Sequence, residues 1–245
     1  MNICTVVGFA MAWIVMIWTA SMGGQGLSGF FDIHAFLIVF GGTTAAVIMA
    51  VDKEDMMAMP RVMKKIFGGG PSYAALSKQL IGFSEVARRD GILALESTVQ
   101  EIKDETMKKA LQLAIDGTSS EDIEKYFEVR MEVDEQVHEH GKKVIEFYEK
   151  WAPSFGLLGT LQGLILMLQN LSDPDMIAPS MGVAMVATFY GAFVAFGMGG
   201  PAANKLQRAF DNEHHKNLMI KDGILAIQNG ANPRLLEDRL AVYTH

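Results

Sequence analysis

Pro153-Ser-Phe-Gly-Leu-Leu-Gly-Thr-Leu-Gln-Gly-Leu-Ile-Leu-Met-Leu-Gln-Asn-Leu171 runs nineteen residues without an acidic or basic side chain. At about 1.5 Å per helical residue it covers roughly 28 Å, close to the thickness of a hydrocarbon core. Working outward, Met176–Gly200 is a second uncharged stretch, separated from the first by only Ser172–Asp175. Toward the start of the chain, Ile3–Met22 and roughly Ala35–Val51 are two more apolar runs of spanning length. No basic segment precedes Ile3 and no clean small-residue cleavage site ends the run, so Ile3–Met22 reads as a span rather than a cleaved leader. Four membrane spans are expected.

The charges are arranged to match. Of 245 residues 49 are charged, and all 21 Lys and Arg fall in two blocks: fifteen between Lys53 and Lys150, six between Lys205 and Arg239. Loops rich in Lys and Arg stay on the cytoplasmic side. Both large segments and both ends of the chain are therefore expected to face the cytoplasm. The 19 Asp and Glu between Lys53 and Lys150 do not alter this, because acidic residues weigh little in topology. The fold class expected is all-α: an integral membrane protein with four transmembrane helices and a large helical cytoplasmic domain. Residues 1–52 carry spans one and two, 53–150 the cytoplasmic helical domain, 151–204 spans three and four, and 205–245 a cytoplasmic helical tail.

Within the cytoplasmic segment, Ser72 and Ser77 are candidate helix caps before an apolar stripe that includes Leu80, Phe83 and Val86. Asp90-Gly91 reads as a helix end. Thr118-Ser-Ser-Glu121 starts another helix, whose stripe from Ile123 and Phe127 through Val144 and Trp151 predicts one long helix running into the third span. Phe67-Gly-Gly-Gly-Pro71 lacks the Lys-Ser/Thr sequel of a phosphate loop and reads as a turn.

Several function classes are disfavoured. A net charge of −7 is the wrong sign for a nucleic-acid binder. A single cysteine, Cys4, allows no internal disulfide and is expected to be a buried, inert thiol. His138 and His140 are two apart on a helix and face different sides, and His214-His215 sit on a charged, solvated stretch, so no metal site is expected. No hydrolase, zinc-protease or nucleotide motif is present, and no enzyme activity is expected.

An intramembrane charge is the usual mark of an ion path, and these spans have none; Asp32 and His34 stand only at the outer edge of the second span. If the chain conducts cations through a carboxylate, a partner must supply the acid. The third and fourth spans are instead rich in small residues at helical spacing: Gly159 and Gly163, and Ala187, Gly191, Ala195 and Gly199. Small residues at this spacing let helix backbones approach, within the chain or between subunits. Thr160, Thr188 and Tyr190 are among the few polar side chains there. Hydroxyls bond local carbonyls or, together with freed carbonyls, make hard oxygen ligands for a small cation. Pro153 would free the Glu149 carbonyl and Pro201 that of Gly197, as hinges or as span boundaries.

Ala152-Pro-Ser-Phe-Gly-Leu-Leu-Gly-Thr-Leu-Gln-Gly-Leu-Ile-Leu-Met-Leu168, Asp173-Pro174 and Pro179-Ser-Met-Gly-Val-Ala184 resemble the third-span signature of the MotA/PomA flagellar stator proteins. Ala187-Thr-Phe-Tyr-Gly-Ala192 and Gly200-Pro-Ala-Ala-Asn-Lys-Leu206 resemble its fourth span, Asp222-Gly-Ile-Leu-Ala-Ile-Gln-Asn-Gly-Ala-Asn-Pro-Arg234 its C-terminal motif, and Arg88-Arg-Asp-Gly-Ile-Leu-Ala-Leu-Glu96 its cytoplasmic patch. The resemblance covers the whole chain. It implies a homopentamer around two helices of a B-type (MotB/PomB-like) partner whose membrane Asp carries the ion. Ion flow would turn the ring against the rotor switch protein FliG, with no cofactor beyond the transported Na+ or H+. Carried over residue by residue, Arg88, Arg89 and Glu96 would face the rotor, Pro153 and Pro201 would couple ion passage to movement, and Thr160 and Thr188 would lie beside the partner's carboxylate. In that family a hydroxyl at the Thr160 position accompanies sodium use, whereas Ala187 departs from the Thr often found in sodium-driven members. The balance favours sodium over protons. An ExbB/TolQ-like energiser of envelope transport is the alternative, although those proteins typically have three spans with the N-terminus outside.

Overall fold

The computed structural model describes residues 3–22 and 27–244, and these residues form helices and turns with no strand. The Cys4 thiol and the first part of the Gly23–His34 linker lie outside what is described. The helices are α1 (Ile3–Met22), α2 (Ile33–Ala50), α3 (Lys53–Phe67), α4 (Tyr73–Asp90), α5 (Glu105–Ile115), α6 (Ser120–Gln169), α7 (Pro174–Gln228) and α8 (Pro233–Ala241). Among the described residues, α2, α6 and α7 are long and apolar enough to cross a membrane. The fourth expected span, α1, is 20 residues long, about 30 Å; its fully described apolar stretch is the shorter Val7–Thr19.

The first and last turns follow local chemistry. The Asp32 carboxylate caps α2 by accepting from the Ala35 N–H at 2.8 Å. Ser72 caps α4 through Ala75 N–H; Ser77, the other expected cap, lies inside that helix, where the 3.6-residue stripe overrides it. At the start of α6, Ser119 accepts from the Asp122 N–H (3.1 Å) and donates to the Asp122 carboxylate (2.7 Å). From there α6 is one uninterrupted helix of 50 residues that passes through Pro153 without a break.

The chain divides into two compact units. The first comprises residues 1–69 and 137–208. Here α2 packs on α7 through Ala35, Val39, Val186 and Ala187, with Phe40 and Tyr190 against them. Val62 and Ile66 of α3 join Ile145 of α6 and Leu206 of α7 in a second cluster. The helices α2 and α7 both contain a π-helical stretch, Leu37–Gly41 and Phe193–Gly199. In α7 it immediately precedes Pro201: the Gly200 N–H reaches back five residues to the Ala195 carbonyl. Pro201 has no N–H to donate, and its ring would collide with a carbonyl four residues back in a regular α-helix. The wide turn relieves that collision.

The second unit comprises residues 70–136 and 209–245. Its core is built by the stripes of α4 (Leu76, Leu80, Phe83), α5 (Leu111), α6 (Ile123, Phe127), α7 (Met219, Ile220, Ile224) and α8 (Leu236, Leu240). Burying each such side chain contributes roughly 1.5–3 kcal/mol. Gly223 is required where α7 meets α4, since a Cβ there would stand 2.7 Å from Leu80 Cδ1. Polar ties close the unit: Lys216 Nζ to Asp104 Oδ2 at 2.7 Å, Tyr73 OH to the Asn212 carbonyl at 3.0 Å, and Tyr243 OH to Asp222 at 2.6 Å. Burial first, then the Asp222 carboxylate, push the Tyr243 phenol up to about 12.

Candidate functional site

The spans α6 and α7 cross at backbone distance because small residues meet there. A Cβ on Gly156 would lie 3.0 Å from the Ala187 carbonyl oxygen, and one on Gly163 would lie 2.8 Å from that of Ser180. A Cβ on Gly191 would lie 2.7 Å from the Ala152 carbonyl and 3.2 Å from the Pro153 Cα. Gly159 faces Ala187 side chain to backbone, and Gly199 faces Glu149. Ala195 is fully buried. Gly156 was not singled out from the sequence, although its three-residue step to Gly159 carries the same small-residue signal.

This close crossing brings together two hydroxyls. Thr160 Oγ1 of α6 and Thr188 Oγ1 of α7 are hydrogen-bonded to each other. Thr160 Oγ1 also lies 3.1 Å from the Gly156 carbonyl and 3.3 Å from the Ala184 carbonyl, and Thr188 Oγ1 lies 3.3 Å from that same Ala184 oxygen. Four hard oxygens therefore converge. Thr188 is on the exposed side of the chain and Thr160 is half-buried, so the cluster opens outward. Neither hydroxyl titrates in the physiological range, so the pair can coordinate or hydrogen-bond a passing cation or a carboxyl group but cannot store a proton. Among the described residues no three His, Cys, Asp or Glu side chains are grouped as a metal site.

The other residues expected on this path are distributed differently. Tyr190 is two residues beyond Thr188, about 200° round the helix, and turns away: its OH donates to the Phe30 carbonyl at 2.7 Å and its ring packs on Phe36 and Phe40. It ties the Leu27–Phe30 turn to α7. Pro153 lies in the α6–α7 crossing beside Gly191. Pro201 is exposed, at the end of the π-helical stretch.

Arg88, Arg89 and Glu96 are all exposed, in the second unit. The helix α4 stops because Gly91 takes φ +86°, the left-handed region open to glycine. The chain then enters a short 3₁₀ turn, Ile92–Leu95, which buries Leu95 and presents Glu96 at the start of the next helical turn. Arg89 forks onto Asp90 at 2.8 and 3.0 Å, and that hydrogen bond holds the Asp90 carboxyl below its ordinary value.

Two ionic contacts were beyond the reach of sequence reading because they join distant residues. His140 Nδ1 meets the buried Asp55 carboxylate at 2.5 Å. Burial works against the Asp55 charge, but the bonds from His140 and the Asp52 N–H, with Lys143 nearby, outweigh it and hold the carboxyl below the usual range. Asp104 is likewise held low: burial opposes ionisation, and Lys216 and the Met107 N–H prevail. His138, expected on a side different from His140, is itself buried and faces Gln207.

Residues 98–218 match the family model described as the MotA/TolQ/ExbB proton channel family. The chain is 36% identical to an uncharacterized protein, YtxD, of Bacillus subtilis (strain 168), over 98% of this chain and 89% of that protein. It is 31% identical to Motility protein A of Borreliella burgdorferi, over 99% of this chain and 94% of the other. Its fold superposes with a TM-score of 0.90 on the flagellar MotAB stator complex from Bacillus subtilis, at 27% identity, covering 98% of this chain and 95% of that one.

Proposed function

The chain belongs to the MotA/PomA proteins of the MotA/TolQ/ExbB proton channel family, and from that premise we propose that it is a flagellar stator A subunit that couples sodium flow to rotation. It is a membrane protein of a family of ion-channel subunits and not of enzymes. Five copies surround two helices of a B-type partner in the bacterial cytoplasmic membrane, with both chain ends and both charged segments in the cytoplasm. The partner's membrane Asp carries the ion, and Arg88, Arg89 and Glu96 engage the rotor protein FliG.

The observation that carries this reading is the oxygen cluster of Thr160, Thr188, Gly156 and Ala184, set in spans that hold no acidic or basic side chain of their own. The carboxylate comes from outside the chain, and the cluster supplies neutral oxygens beside it. Hard hydroxyl and carbonyl oxygens suit a partly dehydrated Na+. A proton route through the same pair needs no such ligands, which is why sodium is preferred. Pro153, in the α6–α7 crossing, and Pro201, after the π-helical turn, are where an ion-linked movement enters the helices.

The test is swimming speed in a stator-null bacterium expressing this chain with its B-type partner, with sodium varied at fixed pH and ionic strength. Speed rising with sodium supports both stator function and the coupling ion. Speed indifferent to sodium assigns protons. Absence of motility with the assembled complex in the membrane and a matched rotor argues against the stator reading.

A further inference from the structure

We propose that α3 is a membrane-surface helix that binds anionic phospholipid, with Met56, Met63 and Phe67 entering the acyl boundary and Lys53, Arg61 and Lys64 holding phosphate headgroups. The position follows from connectivity. Its first residue, Lys53, comes three residues after Ala50, the last residue of the spanning helix α2. Its direction follows from two contacts with α6. Asp55 meets His140, and Val62 lies against Gly141 where any Cβ would overlap it. Seven residues along α3, about 10 Å, correspond to one residue along α6, about 1.5 Å. The two helices therefore cross steeply, and because α6 spans the membrane, α3 runs nearer the membrane plane than its normal.

The two faces of α3 differ sharply. Ala58, Val62 and Ile66 are buried against the first unit, and the Asp55 carboxylate is turned inward to His140. The arc flanking the buried face leaves Met56, Met63 and Phe67 at 47, 44 and 42% exposure, and Met57, at 66%, stands among the cations on the side opposite the buried face. On a 100° wheel Met56, Met63, Phe67 and Pro60 fall within about 60°, and Lys53, Lys64 and Arg61 follow on one edge of that arc. Glu54 is the acidic side chain left on the exposed side of the helix itself, so the face carries net positive charge. An apolar arc bordered by cations, lying parallel to a bilayer, is what an interfacial helix presents to acidic lipid. The leaflet is the cytoplasmic one, a point that rests on the proposed orientation.

The experiment uses the full chain with its B-type partner, in a Cys4→Ser background, reconstituted in bilayers of phosphatidylcholine with phosphatidylglycerol. A spin label at Met63→Cys, with Met56→Cys as a second position, is expected to collide more with oxygen than with a water-soluble nickel chelate. A label more open to nickel stands in water and overturns the proposal. A label shielded from both lies under a second copy of the chain and overturns it too. Lys53→Gln/Arg61→Gln/Lys64→Gln, three exposed positions outside the core, is expected to lower retention of phosphatidylglycerol by the purified complex at least tenfold; unchanged retention removes the headgroup assignment. Neither readout depends on ion flow or motility, so each stands or falls separately from the stator reading.

Discussion

The hydroxyls of Thr160 and Thr188 bond each other across the α6–α7 crossing, and both stand 3.3 Å from the single carbonyl oxygen of Ala184. Two hydroxyl protons are shared among four oxygens here, so lone pairs remain on offer. On the proposed ion path, a cation arriving at the open, Thr188 side would meet ligands already gathered, without the cost of bringing two helices together.

Thr160→Ala is therefore expected to raise the sodium concentration that gives half-maximal swimming speed about tenfold, the equivalent of losing roughly 1.4 kcal/mol of ligation. Thr160→Ser, which keeps the oxygen, should remain close to the parent. Swimming speed against sodium at fixed pH reads both; equal half-maximal concentrations for Ala and parent remove Thr160 from the path.

Gly191→Val sets a side chain against the Ala152 carbonyl and the Gly156 Cα, which are backbone and cannot swing aside. Overpacking of this kind costs about 1–3 kcal/mol, and the solubilised protein is expected to melt several degrees lower. Gly182→Ala, where nothing lies within 4 Å of the new Cβ, should leave the melting temperature in place. The same melting curves test both substitutions.

Reversal at Arg88 should impair swimming more than reversal at Arg89, because Arg89 already shares its charge with Asp90 at 2.8 Å while both are exposed. Membrane abundance should be unchanged for either. An acid-to-base reversal on the rotor protein is expected to restore part of the speed of Arg88→Glu. Unimpaired swimming of Arg88→Glu together with Arg89→Glu would count against a rotor-facing role.

Asp104 caps α5 through the Met107 N–H at 3.0 Å and binds Lys216. Its carboxyl titrates below the ordinary 3.8 in the folded protein, so its contribution is present above that value and is lost as pH falls through the lower, folded value. Asp104→Asn keeps a capping oxygen but loses the charge facing Lys216, and should cost up to about 1 kcal/mol at neutral pH. It should also be less sensitive than the parent to acidification below about pH 4. Thermal melts at neutral and acid pH measure the two effects.

The parts of this fold that were legible in the sequence are the ones written in local periodicity. The stripe from Ile123 to Trp151 carried the first part of α6, and the uncharged run from Pro153 to Leu171 continues it to within two residues of that run's end. Ser72 and Ser119 act as caps because the first turn of a helix is a local affair. Pro153 and Pro201 were ambiguous, since a proline's effect depends on what the rest of the helix does: α6 absorbs Pro153 without a break, whereas α7 widens into a π-helical stretch ahead of Pro201. The pairs Asp55–His140 and Asp104–Lys216 join residues 85 and 112 positions apart, and no spacing rule reaches that far. The sideways turn of Tyr190 toward Phe30 is equally a product of packing.

The wide turn at Phe193–Gly199 has a consequence for register. Downstream of it, Leu206 is fully buried, lodged with Val62, Ile66 and Ile145. Were the turn to tighten into an ordinary α-helix, every residue after it would swing by about one position, roughly 100°, and Leu206 would leave that slot. Pro201 weighs against the tightening, since its ring would crowd the carbonyl four residues back. The wide turn, set just ahead of an imino acid with no hydrogen bond of its own, thus goes with the side of α7 that is offered to α3.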